Sequence, residues 1–231
     1  MAKNIVKSFV ISVGGSLITT NEGIDISFLR KFRIFILEQI KKGNRFYLVV
    51  GGGIIARDYV SAAQRVTKIS DKTRDWLGIS ATSLNAQLLK TIFGTYAHNQ
   101  IVNDPTRKII TDDKIILASG YKPGWSTDYC AVLLAKSHKI DLVINLSNID
   151  YAYDKDPNKF PDAKKLENIS WSDFQNIVGR EWHPGLHAPF DPIASLEAAK
   201  DKTKVIILNG HNLKNLGDCL AGRKFRGTSI S

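Results

Sequence analysis

The sequence has few of the features that mark membrane-bound, secreted or disulfide-stabilised proteins. Its 231 residues include two cysteines, Cys130 and Cys219, which form no CxxC pair and have no histidine cluster beside them. We therefore expect neither a zinc site nor a disulfide framework, and we expect both thiols to be small core residues. No apolar run approaches the roughly 18 residues of a membrane span, and the N-terminus lacks the pattern of a signal peptide. These absences predict a cytoplasmic protein that does not bind a membrane.

The sequence also lacks the two most familiar phosphate-binding motifs. Neither GxxxxGK[ST] nor GxGxxG occurs, which excludes a P-loop and a Rossmann dinucleotide site of the usual kind. There is no fixed-period repeat, no low-complexity tract and no linker rich in proline and serine. With 43% hydrophobic residues, a chain of this length is expected to form a single domain with a sizeable core.

The strongest compositional deviation is a formal net charge of +10, from 32 lysines and arginines against 22 acidic residues. Such a charge is typical of proteins that bind nucleic acids or small polyanions. The basic residues are scattered, and the densest run, Arg223, Lys224 and Arg226, is short and has no RNA-binding motif beside it. We therefore expect a nucleotide as partner and no nucleic acid.

Short apolar segments alternate with segments of helical periodicity along the whole chain. Buried strands are predicted at 5–13, 45–50, 114–119, 141–146 and 203–209. Helices are predicted at about 27–42, 54–66, 76–92, 128–138, 172–178 and 193–200. The alternation indicates an α/β fold, with a mainly parallel central sheet sandwiched by helices and a ligand site beyond the carboxyl ends of the strands. A hairpin or lid is expected in the long polar stretch 154–170.

Two of the predicted strands end in glycine turns. Gly14-Gly15-Ser16 follows the first strand, and Gly51-Gly52-Gly53 follows the second, just before a helix that carries Arg57. Glycine lets backbone N–H groups approach phosphate oxygens without interference from a Cβ atom, and a helix N-terminus adds a favourable dipole. The two turns could hold two phosphate groups, although each by itself is also what a tight strand-to-helix connection requires.

Two further polar segments follow predicted strands. In residues 120–128 (GYKPGWSTD), hydroxyl and N–H groups at a helix start could hold an acceptor phosphate, with Asp128 orienting the reactants or a metal. The same serine, threonine and aspartate are ordinary N-cap residues, so this segment leaves two interpretations open. The segment 147–157 (SNIDYAYDKDP) would by itself be an ordinary solvated turn.

The segment REWHPGLHAPFDP contains two histidines four residues apart, His183 and His187, beside Trp182. This spacing suits a metal only on a helix, and Pro184 and Gly185 break a helix. We therefore expect a loop that delivers Asp191, and not a metal site.

In their order along the chain, these motifs resemble the amino acid kinase family and, within it, the UMP kinases of archaeal type. The resemblance covers essentially the whole chain. The matching segments are GGS at 14–16, VVGGG at 49–53 with Arg57, DWLGI at 75–79 with Asn85-Ala86, PGWSTD at 123–128, SNIDYAYDKDP at 147–157, DPIA at 191–194 and GTSI at 227–230.

The resemblance implies transfer of the ATP γ-phosphoryl group to UMP, with Mg²⁺ carried by ATP and no protein side chain as its direct ligand. It implies that Arg57 lies between the donor and acceptor phosphates, that Asp128 is catalytic, and that Asp191 orients the catalytic cation. The implied ATP contacts are Gly15, Ser16 and Gly53 for the phosphates, with Ser147, Asn148, Tyr153 and Asp156 for adenine and ribose. The implied UMP contacts are Gly52 for the phosphate, Asp75 for the ribose hydroxyls, and Tyr121, Lys122, Pro123, Gly124, Trp125, Ser126 and Thr127 around the nucleotide.

The resemblance also implies a homohexamer, an acceptor-binding lobe at about 1–138 and an ATP-binding lobe at about 139–231. Two positions depart from the family pattern. Ser12 stands where most members have a lysine that neutralises the transferring phosphoryl group, and we expect Lys122 to supply the balancing charge. Tyr151 replaces a glycine, and a turn that needed positive φ there would be strained.

Other functions on the same fold stay open at this point. Other small-molecule kinases of the family phosphorylate carboxylates, carbamate or isopentenyl phosphate, and the glycines alone do not exclude an acetylglutamate kinase. Asp75 and the PGWSTD loop favour a nucleotide acceptor. The second alternative is a catalytically inactive nucleotide sensor or storage protein, which Ser12 and Tyr151 would suit.

Overall fold

The structure is a computed structural model that describes residues 6–179, 181 and 188–231. Its strands are β1 (Ser8–Val13), β2 (Thr19–Thr20), β3 (Gly23–Ile24), β4 (Arg45–Val50), β5 (Ile115–Ala118), β6 (Leu142–Ser147), β7 (Ala152–Tyr153), β8 (Lys165–Leu166), β9 (Asn168–Ile169), β10 (Lys204–Asn209) and β11 (Thr228–Ile230). Its helices are α1 (Gly15–Ile18), α2 (Ile26–Lys41), α3 (Gly53–Val66), α4 (Asp71–Phe93), α5 (Thr127–His138), α6 (Trp171–Val178), α7 (Pro192–Lys200) and α8 (Leu213–Leu220), with a 3₁₀ turn at Gly94–Tyr96.

A seven-stranded sheet in the order β5-β4-β1-β6-β10-β11-β9 forms the centre of the molecule. The pairs from β5 to β10 are parallel, β11 runs antiparallel to β10, and β9 pairs in parallel with β11. The predicted mainly parallel sheet is thus confirmed. In the register of the central strands, Ser12 on β1 lies opposite Val49 on β4 and Asn145 on β6.

Hydrophobic cores cover both faces of the sheet, because alternate residues of each strand point to opposite sides. On one face, Ile11 and Leu48 pack with Phe32 of α2, and α1, α4 and α8 contribute to the same cluster. On the other face, α5, α6 and α7 cover the sheet, and the largest side chains there include Phe174 and Phe190. The sheet is therefore sandwiched by helices, as the sequence predicts.

Helix boundaries follow the local signals in the sequence. Asp25 caps α2 by accepting a 2.8 Å hydrogen bond from the Phe28 N–H group, and Gly43, with φ of 90°, follows its end. The Ser126 hydroxyl caps α5 by accepting from the N–H of Tyr129 at 3.1 Å. Caps of this kind are typically worth about 1 kcal/mol each, so they fix where each helix begins and hence where the loop before it lies.

The remaining predictions are met in part. The stretch 154–170 includes the loop and the second strand of a hairpin, in which Tyr153 on β7 pairs with Lys165 on β8. Both cysteines are buried, as expected. The histidine segment at 182–187 lies outside the described residues. None of the helices in the described part of the chain is long and apolar enough to cross a membrane.

Candidate active site

The two glycine turns lie side by side at the carboxyl ends of the neighbouring strands β1 and β4. The Gly51 N–H group donates to the Val13 carbonyl at 2.9 Å, which holds the second turn against the first strand. A Cβ atom on Gly15 would lie less than 3.0 Å from backbone atoms of Gly53, and a Cβ atom on Gly53 would clash with Gly15 in turn. Gly53 also has φ of 63°. Only glycine at both positions lets the turns approach this closely.

Two polar side chains hold the glycine turns in place. The Thr19 hydroxyl donates to the Gly15 carbonyl at 3.1 Å and accepts from the N–H of Ile54 at 3.3 Å, so it links the first turn to the start of α3. The buried amide of Asn85 donates to the carbonyls of Gly51 and Gly52 at 2.8 and 3.2 Å. Both turns are therefore positioned by hydrogen bonds from outside themselves.

A cavity of about 460 Å³ opens beside the second glycine turn, between α3, α4 and the loop before α5. Its volume lies in the range that is usual for small-molecule sites. It brings together predicted contacts that are far apart in the sequence, namely Gly52, Gly53, Arg57, Asp75, Trp125, Ser126 and Thr127.

Asp75 anchors the loop that forms one wall of this cavity. Its Oδ2 atom accepts a 2.7 Å hydrogen bond from the N–H of Gly124, which has φ of 82°. A carboxylate has two oxygens that each accept more than one hydrogen bond, so Asp75 retains acceptor capacity for a ligand hydroxyl. One residue can thus position the loop and face the cavity.

An aromatic cluster forms the outer part of the same loop. The Trp125 ring meets Tyr129 edge-on, with ring centroids 4.8 Å apart, and meets Tyr121 edge-on at 5.5 Å. The Lys122 ammonium lies 4.2 Å from the centroid of the Trp125 ring, which is cation–π distance. Of these side chains, Trp125 lines the cavity. The residues Tyr121, Lys122, Pro123 and Gly124 are not among those that line it.

A pair of acidic side chains lies at the junction of β1, β6, α5 and α7. The Oδ1 atom of Asp128 accepts from the Ser12 hydroxyl at 2.9 Å and from the Asn145 amide at 3.3 Å. Its Oδ2 atom accepts from the backbone N–H of Asp191 at 3.3 Å. The Asp191 carboxylate in turn caps α7, accepting from the N–H of Ala194 at 2.6 Å.

The electrostatics of this pair favour a bound cation. Burial, reinforced by the nearby charge of Asp191, raises the pKa of Asp128 from 3.8 to about 7. Burial also raises the pKa of Asp191, while the hydrogen bond from Ala194 opposes the shift. Within the described residues, no lysine, arginine or histidine forms an ion pair with either carboxylate. When the pair is ionised, no cation of the described chain therefore balances its negative charge.

Of the predicted ATP contacts, Ser16 and Ser147 lie near the first glycine turn, whereas Tyr153 and Asp156 lie in the hairpin of β7 and β8. Ser147 ends β6 next to the first glycine turn, because a Cβ atom added to Gly14 would lie 3.7 Å from the Cα atom of Ser147. The Ser147 hydroxyl donates to the Asn148 side-chain oxygen at 3.3 Å. The Ser16 hydroxyl would likewise lie 3.7 Å from such a Cβ atom on Gly14. Tyr153 is on β7, and Asp156 accepts from the N–H of Asn158 at 3.0 Å in the hairpin loop.

Tyr151 does not require a strained backbone. Among the described non-glycine residues, positive φ occurs at Lys139 and Lys202 and not at Tyr151. Instead, the Tyr151 ring lies 5.0 Å from the Lys165 ammonium across the hairpin. The strain that a positive φ would cause at this position is therefore absent.

Comparison with known proteins identifies the family of this chain. Residues 7–209 match the model of the amino acid kinase family. The chain belongs to this family. It is 33% identical over 224 residues to the uridylate kinase of Pyrococcus abyssi, an alignment that covers 96% of this chain and 98% of the relative. It is also 33% identical to the uridylate kinase of Methanosarcina mazei, covering 96% of this chain and 95% of that one.

Solved structures of a uridylate kinase and a UMP kinase have the same fold. The crystal structure of the uridylate kinase from Archaeoglobus fulgidus superposes with a TM-score of 0.82 at 29% identity, covering 98% of this chain and all of that one (100%). The UMP kinase from Ureaplasma parvum superposes with a TM-score of 0.78, covering 98% and 99% of the two chains, but at 18% identity it supports the fold alone. The expected fold class and the resemblance to uridylate kinases are thus confirmed.

The sequence analysis assigns no role to several residues that organise this candidate site, although Asn85 belongs to a segment that matches the family pattern. Thr19, Asn145 and the clamp made by Asn85 emerge only from the structure. A signal for Asn85 does exist, because it lies four residues after buried Ala81 and four before buried Leu89 on α4. A polar residue within an apolar helical stripe has to find a buried partner, and here the partner is the glycine turn.

Proposed function

We propose that this chain transfers the γ-phosphoryl group of ATP to the phosphate of UMP, giving ADP and UDP. The observation that carries the proposal is the cavity in which the second glycine turn, Arg57 and Asp75 meet. UMP has a phosphate, a ribose diol and a flat base. The turn and Arg57 suit the phosphate, the Asp75 carboxylate suits the diol, and Trp125 provides an apolar wall for the base. The archaeal relatives named as uridylate kinases support the same acceptor.

The proposed reaction needs positioning and charge balance, and no nucleophilic side chain. An oxygen of the UMP phosphate attacks the γ-phosphorus of ATP, the bond from that phosphorus to the β,γ-bridging oxygen breaks, and ADP leaves. Backbone N–H groups of Gly15, Ser16 and Gly53 would bind the ATP phosphates, and Gly52 and Arg57 would bind the acceptor phosphate. Fixing both phosphates in one orientation is the main contribution that we assign to the protein.

The carboxylate pair suits a divalent cation that arrives with ATP. Among the described residues there is no group of three or more His, Cys, Asp and Glu side chains arranged for a metal. We therefore propose that the phosphates and water ligate Mg²⁺, and that the unbalanced charge of Asp128 and Asp191 attracts it. When bound, the ion neutralises the negative charge on the transferring phosphoryl group. Asp128 would orient it, and Asp191 would hold Asp128 through its backbone N–H. We keep for the Asp191 carboxylate the role that the resemblance implies, which is to orient the catalytic cation.

Some parts of the proposal depend on the resemblance alone. We propose that Ser147, Asn148, Tyr153 and Asp156 bind the adenosine of ATP, that residues 1–138 and 139–231 form acceptor and donor lobes, and that the enzyme works as a cytoplasmic homohexamer. Analytical ultracentrifugation tests the assembly, with a mass near six times 25.7 kDa as the expected result.

The decisive experiment is an ADP-release assay with Mg·ATP and a panel of acceptors: UMP, CMP, dUMP and acetylglutamate. We expect the highest kcat/KM with UMP, and a loss with dUMP because it lacks the 2′-hydroxyl that the Asp75 carboxylate would bind. Turnover with acetylglutamate in preference to UMP would overturn the nucleotide acceptor. Nucleotide binding without turnover on any acceptor would instead establish the sensor or storage function.

A further inference from the structure

A second cavity, of about 970 Å³, lies at the opposite end of the sheet from the glycine turns. Its wall includes residues at the starts of the parallel strands β1, β4, β6 and β10, together with residues 108–111 and 138–141. Strands β1 and β4 begin at this cavity and end at the glycine turns, so roughly 17 Å of extended strand separates the two sites. Phosphoryl transfer between ATP and UMP makes no use of this cavity.

The cavity is strongly basic. Five cationic side chains line it, and the carboxylate among its lining residues is Asp141. The cations come from different elements: Arg45 starts β4, Lys108 precedes β5, Lys139 follows α5, and Lys202 and Lys204 lie around the start of β10. In the described part of the chain, none of the four lysines forms an ion pair with an acidic group. The cavity therefore concentrates positive charge that the described residues leave unbalanced.

Helix capping explains only some of the cationic side chains that line this cavity. Lys139 and Lys202, both with φ of 56°, follow the C-terminal ends of α5 and α7, where a cation is favoured by the helix dipole. Each helix end amounts to about half a negative charge, which is far less than the charge of the lysines and arginine together. Lys108, Lys204 and Arg45 cap no helix, so capping does not account for their convergence.

Arg45 gives the cavity a fixed wall. Its Nη2 atom donates to the Thr111 carbonyl, and its guanidinium lies 5.4 Å from the centroid of the Tyr47 ring. The His138 ring, 4.4 Å from that of Tyr47, accepts a 3.0 Å hydrogen bond from the N–H of Ile109 at Nε2. The buried Nε atom of Arg45 has no hydrogen-bond partner among the described residues.

We infer that this cavity binds a small anion with two or more phosphate groups, held by Arg45 and the surrounding lysines. The concave shape suits a small molecule, and the volume exceeds what a single phosphate fills. A nucleic-acid strand would be held by exposed aromatic faces on which bases stack, whereas Tyr47 is 3% exposed. The recognised chemistry is a phosphate chain, whether inorganic or part of a nucleoside di- or triphosphate.

Titration calorimetry with inorganic triphosphate tests this site while UMP and a non-hydrolysable ATP analogue saturate the proposed kinase site. The test variant carries Lys139→Gln and Lys204→Gln, and the control carries Lys31→Gln and Lys41→Gln on α2, which remove the same charge elsewhere. We expect one bound triphosphate per chain, at least tenfold weaker binding in the test variant, and binding within twofold of wild type in the control. Circular dichroism and kinase turnover verify that both variants fold.

Equal affinity in wild type and the test variant would overturn the proposal, as would an equal loss in the control, since that would reflect net charge alone. Displacement of labelled triphosphate then separates the sources. If nucleoside triphosphates bind with the same affinity as inorganic triphosphate, the site recognises the phosphate chain only. If they bind tenfold more tightly, the site also binds the base. Both results support the proposal. A twelve-nucleotide RNA that binds more tightly than triphosphate, with the same dependence on Lys139 and Lys204, would overturn a small-molecule site.

Discussion

The Ser12 hydroxyl donates a 2.9 Å hydrogen bond to Oδ1 of Asp128, joining β1 to the first turn of α5. Most members of the family that the sequence resembles have a lysine at the Ser12 position. A serine there supplies a hydrogen bond but no charge. Its hydrogen bond opposes the rise in the pKa of Asp128, but it does not balance the negative charge of Asp128 and Asp191. The charge of this pair therefore governs both the stability and the activity that we expect of the protein.

The first prediction concerns the pH dependence of stability. The pKa of Asp128 is about 7 in the folded protein against 3.8 for an ordinary aspartate, so between about pH 4 and pH 7 the folded state holds a proton that the unfolded state has released. The contribution of Asp128 to the free energy of unfolding is therefore highest below pH 4 and falls as the pH rises to 7. Urea unfolding at pH 5 and pH 8 measures this loss.

Asp128→Asn is the matched variant for that measurement, because it keeps the shape of the side chain and removes its titration. We expect the drop in stability from pH 5 to pH 8 to be smaller in Asp128→Asn than in wild type, and kinase turnover to fall at least tenfold. An identical drop in both proteins would contradict the raised pKa. Turnover at the wild-type rate would contradict a catalytic role.

The second prediction concerns Arg57, which is exposed on α3 and lines the 460 Å³ cavity. Arg57→Ala should lower kcat/KM at least tenfold, about 1.4 kcal/mol of transition-state stabilisation, because a charge beside the acceptor phosphate is lost. Steady-state kinetics with UMP measure the effect.

Arg65→Ala is the control for Arg57, since Arg65 lies further along α3, is also exposed and does not line the cavity. Its kinetics should match those of wild type within twofold. Equal losses in the two variants would mean that α3 tolerates neither change, and would remove the case for a phosphate contact at Arg57.

Periodicity and glycine turns suffice to predict the parallel part of the fold. Each of the five predicted strands became a strand of the central sheet, because a buried parallel strand is a continuous apolar run. Helix α8 (LKNLGDCL) and strand β11 (TSI) escape prediction because they are short and only become stable through packing and pairing.

The candidate site likewise has features that local sequence patterns predict and features that they do not. Parallel strands with glycine ends imply adjacent glycine turns, and the structure has them. The contacts that hold the turns and the acidic pair cannot be deduced from local sequence, since Ser12 and Asp128 are 116 residues apart and Asn85 and Gly51 are 34 apart. Such pairings depend on how the helices pack on the sheet, which no local pattern specifies.

The third prediction concerns Asn85, whose amide is buried and donates to the carbonyls of Gly51 and Gly52. Asn85→Ala leaves those carbonyls without this donor and creates a small void, so the free energy of unfolding should fall by about 1–3 kcal/mol. The KM for UMP should rise because the second glycine turn loses its support. Urea unfolding and steady-state kinetics measure the two effects.

Thr91→Ala on the same helix provides the comparison for Asn85. The Thr91 hydroxyl bonds to the Gln87 carbonyl at 2.9 Å at an exposed position, so its loss should change stability by less than about 0.5 kcal/mol. Loss of stability in Asn85→Ala without any change in the KM for UMP would limit Asn85 to a structural role.

The fourth prediction concerns Lys122, to which we assign the balancing charge that Ser12 lacks. The Lys122 ammonium stacks on Trp125, which lines the cavity, so a rotation of its flexible side chain would bring it towards the acceptor phosphate. Lys122→Ala should lower kcat more than threefold, about 0.7 kcal/mol, with a smaller change in KM, because the charge is needed most in the transition state.

Two variants separate charge from stacking at this position. Lys122→Arg keeps both the charge and the contact with Trp125, and it should retain most of the wild-type kcat. Lys122→Met keeps an unbranched chain against the ring without the charge, and it should resemble Lys122→Ala. If Lys122→Met instead matched Lys122→Arg, the lysine would serve to pack the loop, and the balancing charge would have to come from Arg57 and the cation carried by ATP.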